Sequence, residues 1–221
     1  MAKTVATSLA AFTPAERRLI KRLRTPDAVQ RYLNLLPYNT EKRGDTLRSF
    51  RQVVRHHTAH CLEAALFAAC VLEQHGYPPQ FLTFESVDGL DHVLFLYRKD
   101  GRWGTVARSR DPGLHGRKPV FKTLRALAMS YFDAYIDPTG CIEGYAAYDL
   151  NKLDYDWRFA RRNMWAVERA LIDVPHRRIK FSQKYVDRMR VRYSAYREKY
   201  GKKPLFYSGR NAWTPIPKEF L

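Results

Sequence analysis

The hydrophobic pattern divides the chain into short amphipathic segments, one strongly apolar helix and one hairpin. Thr13-Pro14-Ala15-Glu16 reads as a helix start, with Thr13 as N-cap, Pro14 at the first position and Glu16 closing a capping box. That helix is expected to reach about Arg24. Thr25-Pro26-Asp27 repeats the signal, and Val29, Tyr32, Leu33 and Leu36 mark one apolar face until Pro37 ends it. Ser49-Phe50-Arg51-Gln52 reads as another capping box before a short helix through Val53 and Val54. Leu62, Ala65, Leu66, Ala69, Val71 and Leu72 are apolar nearly all round, the pattern of a central buried helix. Thr58 is placed to cap it, which would put Cys61 at its third position, and Gly76 with Pro78-Pro79 stops it.

Residues 80–84 read as a strand. His92 to Arg98 and Arg102 to Ser109 flank Lys99-Asp100-Gly101, a hairpin signal. A two-residue Asp100-Gly101 turn makes paired positions sum to 201, which would set His92 opposite Ser109, sharing a face with Leu94, Leu96, Trp103 and Ala107. Val120-Phe121 is a further short strand, and Thr123 caps a helix to about Tyr135. Residues 141–156 carry no decisive period. A helix is expected from Trp157 to about Ile172, and Ser182 opens a last one that Gly201 closes after Tyr200. The predicted fold class is α+β, with a central buried helix on an antiparallel sheet and helical extensions at both ends. The expected organisation is a flexible tail over 1–12, one domain over 13–175, and a basic helical extension with a surface tail over 176–221.

Composition changes this picture in two respects. The 221 residues are 45% apolar, ample for a core, and the net charge is +17. Residues 1–60 hold 12 Lys/Arg against 4 Asp/Glu, and residues 177–221 hold 13 against 3, so the excess sits on the flanks. Such flanks suit an acidic protein or peptide, or nucleic acid through the C-terminal extension. Against nucleic acid, the last helix places Tyr185, Met189, Tyr193, Tyr196 and Tyr200 on one stripe, a pattern that packing onto the domain explains better than base stacking. Three scattered cysteines do not make a disulfide framework or a zinc ribbon, no segment is apolar enough to span a membrane, and no secretory signal opens the chain. The expectation is a cytoplasmic protein with no metal and no cofactor; its oligomeric state is unassigned.

The chemistry centres on Arg55-His56-His57-Thr58-Ala59-His60-Cys61. A thiol where a polar approach meets a helix start feels the helix dipole and unpaired N–H groups, which favour the thiolate. Cys70, inside the same helix, reads as core. His56, His57, His60 and Cys61 could in principle hold a metal, but their spacing is meaningful only if the approach is helical. Glu63 reads as a first-turn acid favoured by the dipole, and Gln52 as a possible oxyanion donor.

A cysteine opening a buried helix, Gly-Tyr-Pro-Pro leading into a strand, Asp91-His92 on a strand and Gly101-Arg102-Trp103 in the return strand resemble the transglutaminase-like branch of papain-type folds. Leu35-Leu36-Pro37-Tyr38-Asn39, Ala59 to Ala65 and Ala128-Met129-Ser130-Tyr131-Phe132 are similar to small bacterial transglutaminase-like proteins. The resemblance implies Cys61 as nucleophile and His92 as general acid/base, acting on an amide or acyl carbonyl by hydrolysis, deamidation or acyl transfer. It departs at the third residue: Ala107 stands where that superfamily usually carries an aspartate. Ser109 is the candidate to orient the histidine, with Asp111 beyond the strand. The alternative is a binding module on the same fold that has lost catalysis and holds an acidic protein or nucleic acid through its basic flanks.

Overall fold

The computed structural model describes residues 7–42, 44–207 and 213–214. Helices α1 (Pro14–Arg22) and α2 (Pro26–Leu35) begin at Thr13 and Thr25, each hydroxyl accepting from the third backbone N–H, and Glu16 completes the box at Thr13. Phe12 is 2% exposed and packs edge-on against Phe50 and Phe159, so the core extends into the segment expected to be a tail; residues 1–6 lie outside the described residues. Helix α3 (Phe50–His56) is capped by Ser49 and ends at His57, which takes φ 53°. Helix α4 (Cys61–Glu73) is apolar all round because it is enclosed all round: Ala64 to Leu72 are fully buried.

The sheet runs β4-β3-β2-β1-β5-β6 and is antiparallel throughout. Its strands are β1 (Gln80–Ser86), β2 (His92–Lys99), β3 (Arg102–Val106), β4 (Arg117–Phe121), β5 (Ile142–Asp149) and β6 (Arg177–Arg178). Both Asp100 and Gly101 take positive φ, the geometry of a tight two-residue hairpin turn, and Lys99 pairs with Arg102 through Phe95 with Val106. The register is the expected one, but β3 ends at Val106 and the His92–Ser109 pair does not form. Residues 141–156, undecided by pattern, supply β5 beside β1. The two sides of the sheet divide by alternation: Val93, Phe95 and Tyr97 face α4 and the N-terminal helices, while Leu94, Leu96 and Ala107 face α5 (Leu124–Tyr135) and α7 (Gln183–Tyr200). The fold is α+β, with one central buried helix on an antiparallel sheet.

Helix α6 (Trp165–Asp173) starts eight residues later than predicted; Trp157 is instead a fully buried anchor in the preceding loop. On α7, Val186, Met189 and Tyr196 are buried with α5, and Tyr185 and Tyr193 pack against them, so the aromatic stripe is spent on packing up to its last member, Tyr200, which is exposed. A two-residue pair, β7 (Phe206–Tyr207) with β8 (Trp213–Thr214), follows; the rest of the predicted surface tail lies outside the described residues. Among the described residues no helix is long and apolar enough to cross a membrane.

Candidate active site

Cys61 is the first residue of α4, not the third. Thr58 does not cap the helix: Ala59 is held extended by a bridge to Tyr38, with Asn39 N–H donating to Ala59 O and Ala59 N–H to Pro37 O, and the Thr58 hydroxyl accepts from Arg48. His60 therefore stands at the N-cap, and its N–H is taken by the Glu63 carboxylate at 3.1 Å. With Cys61 at the helix start, its N–H and the next two have no intrahelical partner. Cys61 is partly exposed and lines a cleft of about 720 Å³ with Tyr38, His92, Arg110 and Tyr135.

Two imidazoles act on the Cys61 thiol: that of His60, its neighbour in the chain, and that of His92, which lines the same cleft. Burial alone would push the thiol up; the two rings outweigh it and hold the pKa at about 5. Each ring is fixed from behind in the same way. His92 Nε2 lies 3.0 Å from Leu114 O, and His60 Nε2 lies 2.7 Å from Thr46 O. A carbonyl only accepts, so both Nε2 atoms carry hydrogen and Nδ1 is left for the sulfur. Desolvation, and then the charge at Cys61, push the phenol of half-buried Tyr38 well above the ordinary range, so it keeps its O–H.

The residue orienting His92 is thus Leu114, not Ser109. Ser109 lines the same cleft, but its hydroxyl accepts from Asp111 N–H and its carbonyl from Arg108 and His115. Because β3 ends at Val106, residues 107–116 leave the sheet and curl back, and the turn Pro112–Leu114 presents its last carbonyl to the imidazole. Asp111 caps that turn through Gly113 N–H. Gln30 binds the loop at Ala107 N, Ala107 O and Gly116 N, and half-buried Arg117 donates to Gly113 O and His115 O while lying 4.0 Å over the Tyr131 ring. Arg197 of α7 reaches Asp111 at 3.6 Å. Tyr135, whose hydroxyl donates to Leu90 O, closes the other side, 6.4 Å from the His92 ring.

A backbone acceptor in place of a carboxylate still fixes the tautomer and ring orientation, the larger part of what a third residue does for a histidine. With a thiolate, an imidazole and backbone N–H groups converging on one cleft, the arrangement can attack a carbonyl carbon and protonate a leaving group.

The chain is distantly similar to a peptidase. Tubulinyl-Tyr carboxypeptidase 1 of Mus musculus is 27% identical to it over 139 residues, which cover 56% of this chain and 35% of that protein, so the chain spans little more than a third of the relative's length. No family model matches the chain.

The other sequence candidates fall away from the sulfur. His56 and His57 are exposed on the approach, and Gln52, on α3, does not line the cleft. Cys70 and Cys141 are buried, and burial pushes both thiols up, Cys141 to about 11. Among the described residues no group of His, Cys, Asp and Glu has a metal-holding arrangement. Glu63 is a fully buried hub: it accepts from Asn39 Nδ2, Thr46 Oγ1, Arg48 N and His60 N, tying the Tyr38–Arg48 connection to the start of α4. Leu114 and Thr46 escaped the sequence reading because they act through carbonyls, which every residue possesses.

Proposed function

We propose that this chain is a transglutaminase-like cysteine hydrolase that cuts a peptide bond, with Cys61 as nucleophile and His92 as general acid/base. The observation that carries it is a thiol at a helix N-terminus that shares a cleft with an imidazole whose Nε2 lies 3.0 Å from the Leu114 carbonyl; the two neighbouring imidazoles lower the thiol's pKa. The thiolate adds to the carbonyl carbon, and the developing oxyanion is met by unpaired N–H groups at the start of α4 and by the Tyr38 hydroxyl. His92 gives its Nδ1 proton to the leaving amine, and then takes a proton from the water that hydrolyses the thioester. The part-match to a carboxypeptidase and the exposed cation Arg110 at the cleft rim favour a substrate cut near its C-terminal carboxylate. Arg110 forms no salt bridge among the described residues, so a carboxylate can take it without displacing a partner. Three free thiols suit a reducing compartment such as the cytoplasm.

The binding-module alternative rested on Ala107 standing in the aspartate's place. The Leu114 carbonyl offers the His92 ring an acceptor of its own, which favours hydrolysis over that alternative, and hydrolysis is the reading we adopt. The test is mass spectrometry of a mixed peptide pool incubated with wild type, Cys61→Ser and His92→Ala, each peptide present with a free and an amidated C-terminus. Expected is loss of C-terminal residues from the free-carboxylate peptides by wild type alone. Absence of any cleavage and of any acyl-enzyme mass would sink the hydrolase reading. Equal cleavage of the amidated peptides would sink the carboxylate preference.

A further inference from the structure

The chemistry above uses one imidazole, yet the sulfur has two. His60 is 8% exposed and is surrounded by acceptors. Its Nε2 lies 2.7 Å from Thr46 O, 3.5 Å from Glu63 Oε1 and 3.8 Å from Glu41 Oε1, and the charge of the adjacent Cys61 sulfur acts on the ring as well. From α6, Glu168 also feels the ring's charge. The neighbouring cation is Arg48, which lies 3.8 Å from Glu63 and donates to the Thr58 hydroxyl. A neutral imidazole has one hydrogen to offer, and the Thr46 carbonyl consumes it. A ring facing a carbonyl, two carboxylates and a thiolate is best satisfied with hydrogen on both nitrogens. Around the sulfur itself stand His60, His92, Tyr38 and Tyr135, and both phenols remain neutral, pushed up first by burial.

We propose that His60 is a positioning residue: a buried imidazolium that keeps the Cys61 sulfur charged and in place, so that His92 is free to gain and lose the catalytic proton. The inference rests on Cys61 being the nucleophile. In acylation the sulfur's electron pair forms the S–C bond, and the C–N pair departs on nitrogen with the proton of His92. In deacylation water adds, its proton passes to His92, and the S–C pair returns to sulfur. The sulfur is an anion at the start and end of this cycle, and His60 retains both its hydrogens throughout. In an ordinary Cys–His pair the thiolate depends on the partner's proton. Here a second, non-participating cation supports it.

Alkylation of Cys61 by iodoacetamide, followed by intact mass between pH 3.5 and 10, reads the thiolate fraction. Wild type should show a half-point near 5. In His92→Ala the half-point should remain well below the roughly 8.5 of a free thiol, because His60 is still present. In His60→Gln, which offers an amide but no charge, the rate at pH 6 should fall at least about tenfold. A wild-type profile in His60→Gln, or a free-thiol profile in His92→Ala alone, would overturn the inference. Should His60→Gln fail to fold, the ring is read directly by ¹⁵N-histidine NMR in wild type and Cys61→Ser. The His60 imidazolium should persist to about pH 9 in wild type and titrate lower without the thiolate; an unchanged midpoint would count against the proposal. A wild-type sulfur that reacts only above about pH 8 defeats the nucleophile reading itself. A reactive wild type with an equally reactive His60→Gln defeats this inference alone.

Discussion

Replacing Glu63 with alanine tests whether the cleft is assembled by one buried carboxylate. The Glu63 side chain is fully buried and accepts hydrogen bonds from four groups: Asn39 Nδ2 at 3.0 Å, Thr46 Oγ1 at 2.8 Å, Arg48 N and His60 N, both at 3.1 Å. A hydrogen bond to a charged acceptor contributes about 1.5–3 kcal/mol, and a donor left dry costs about 1–3 kcal/mol. A water entering the vacated space can serve two of the four donors, so the net loss should be about 3–5 kcal/mol. With a urea slope of about 2–3 kcal/mol/M for a chain of this size, the unfolding midpoint should drop by about 1–2 M. The assay is urea unfolding followed by tryptophan fluorescence, with exposed Glu198→Ala as a control expected to change nothing beyond about 0.2 M. A Glu63→Ala midpoint within about 0.3 M of wild type would refute the hub argument. The site should fail with the scaffold, because Thr46 and His60 are bonded directly to this carboxylate and Tyr38 adjoins its partner Asn39.

The remaining predictions concern the sulfur and the loop behind His92. Native protein treated briefly with iodoacetamide at pH 6 should gain one adduct, at Cys61; labelling of Cys70 or Cys141 before unfolding would contradict their burial and raised pKa. With the thiol at about 5, peptide hydrolysis should rise as pH increases through 5, because the nucleophile is lost on protonation below it; a profile rising only near 8 would remove the ionised-thiol argument. Gly116→Ala puts a Cβ 2.3 Å from both Gln30 Oε1 and Thr105 O, so it should destabilise by about 2 kcal/mol or more in a urea melt and lower hydrolysis by moving the Leu114 carbonyl. Arg197→Ala removes a partly exposed pair with Asp111 and the hydrogen bonds to Tyr193 Oη, Gly201 O and Lys203 O, so a loss of about 1–3 kcal/mol in a urea melt, with slower hydrolysis, is the expected result.

Much of the fold could be read along the chain because its cues are local. Thr13 and Thr25 cap their helices within three residues, and Asp100-Gly101 sets the β2–β3 register through two positive φ angles. The apolar run of α4 demanded burial on every side, and the order Cys61 then His92 placed a thiol at a helix start and an imidazole at a strand start. What tertiary structure decided is how those two are completed. The cap moved from Thr58 to His60 because Ala59 pairs with Tyr38, a contact between separate segments. The third partner moved from Ser109 to the Leu114 carbonyl because β3 ends at Val106 and the following loop folds back under Gln30 and Arg117. Side-chain periodicity records which face a residue shows to the core. It carries no record of where a backbone carbonyl will point, and in this protein two such carbonyls fix the rings of the two histidines, His92 and His60.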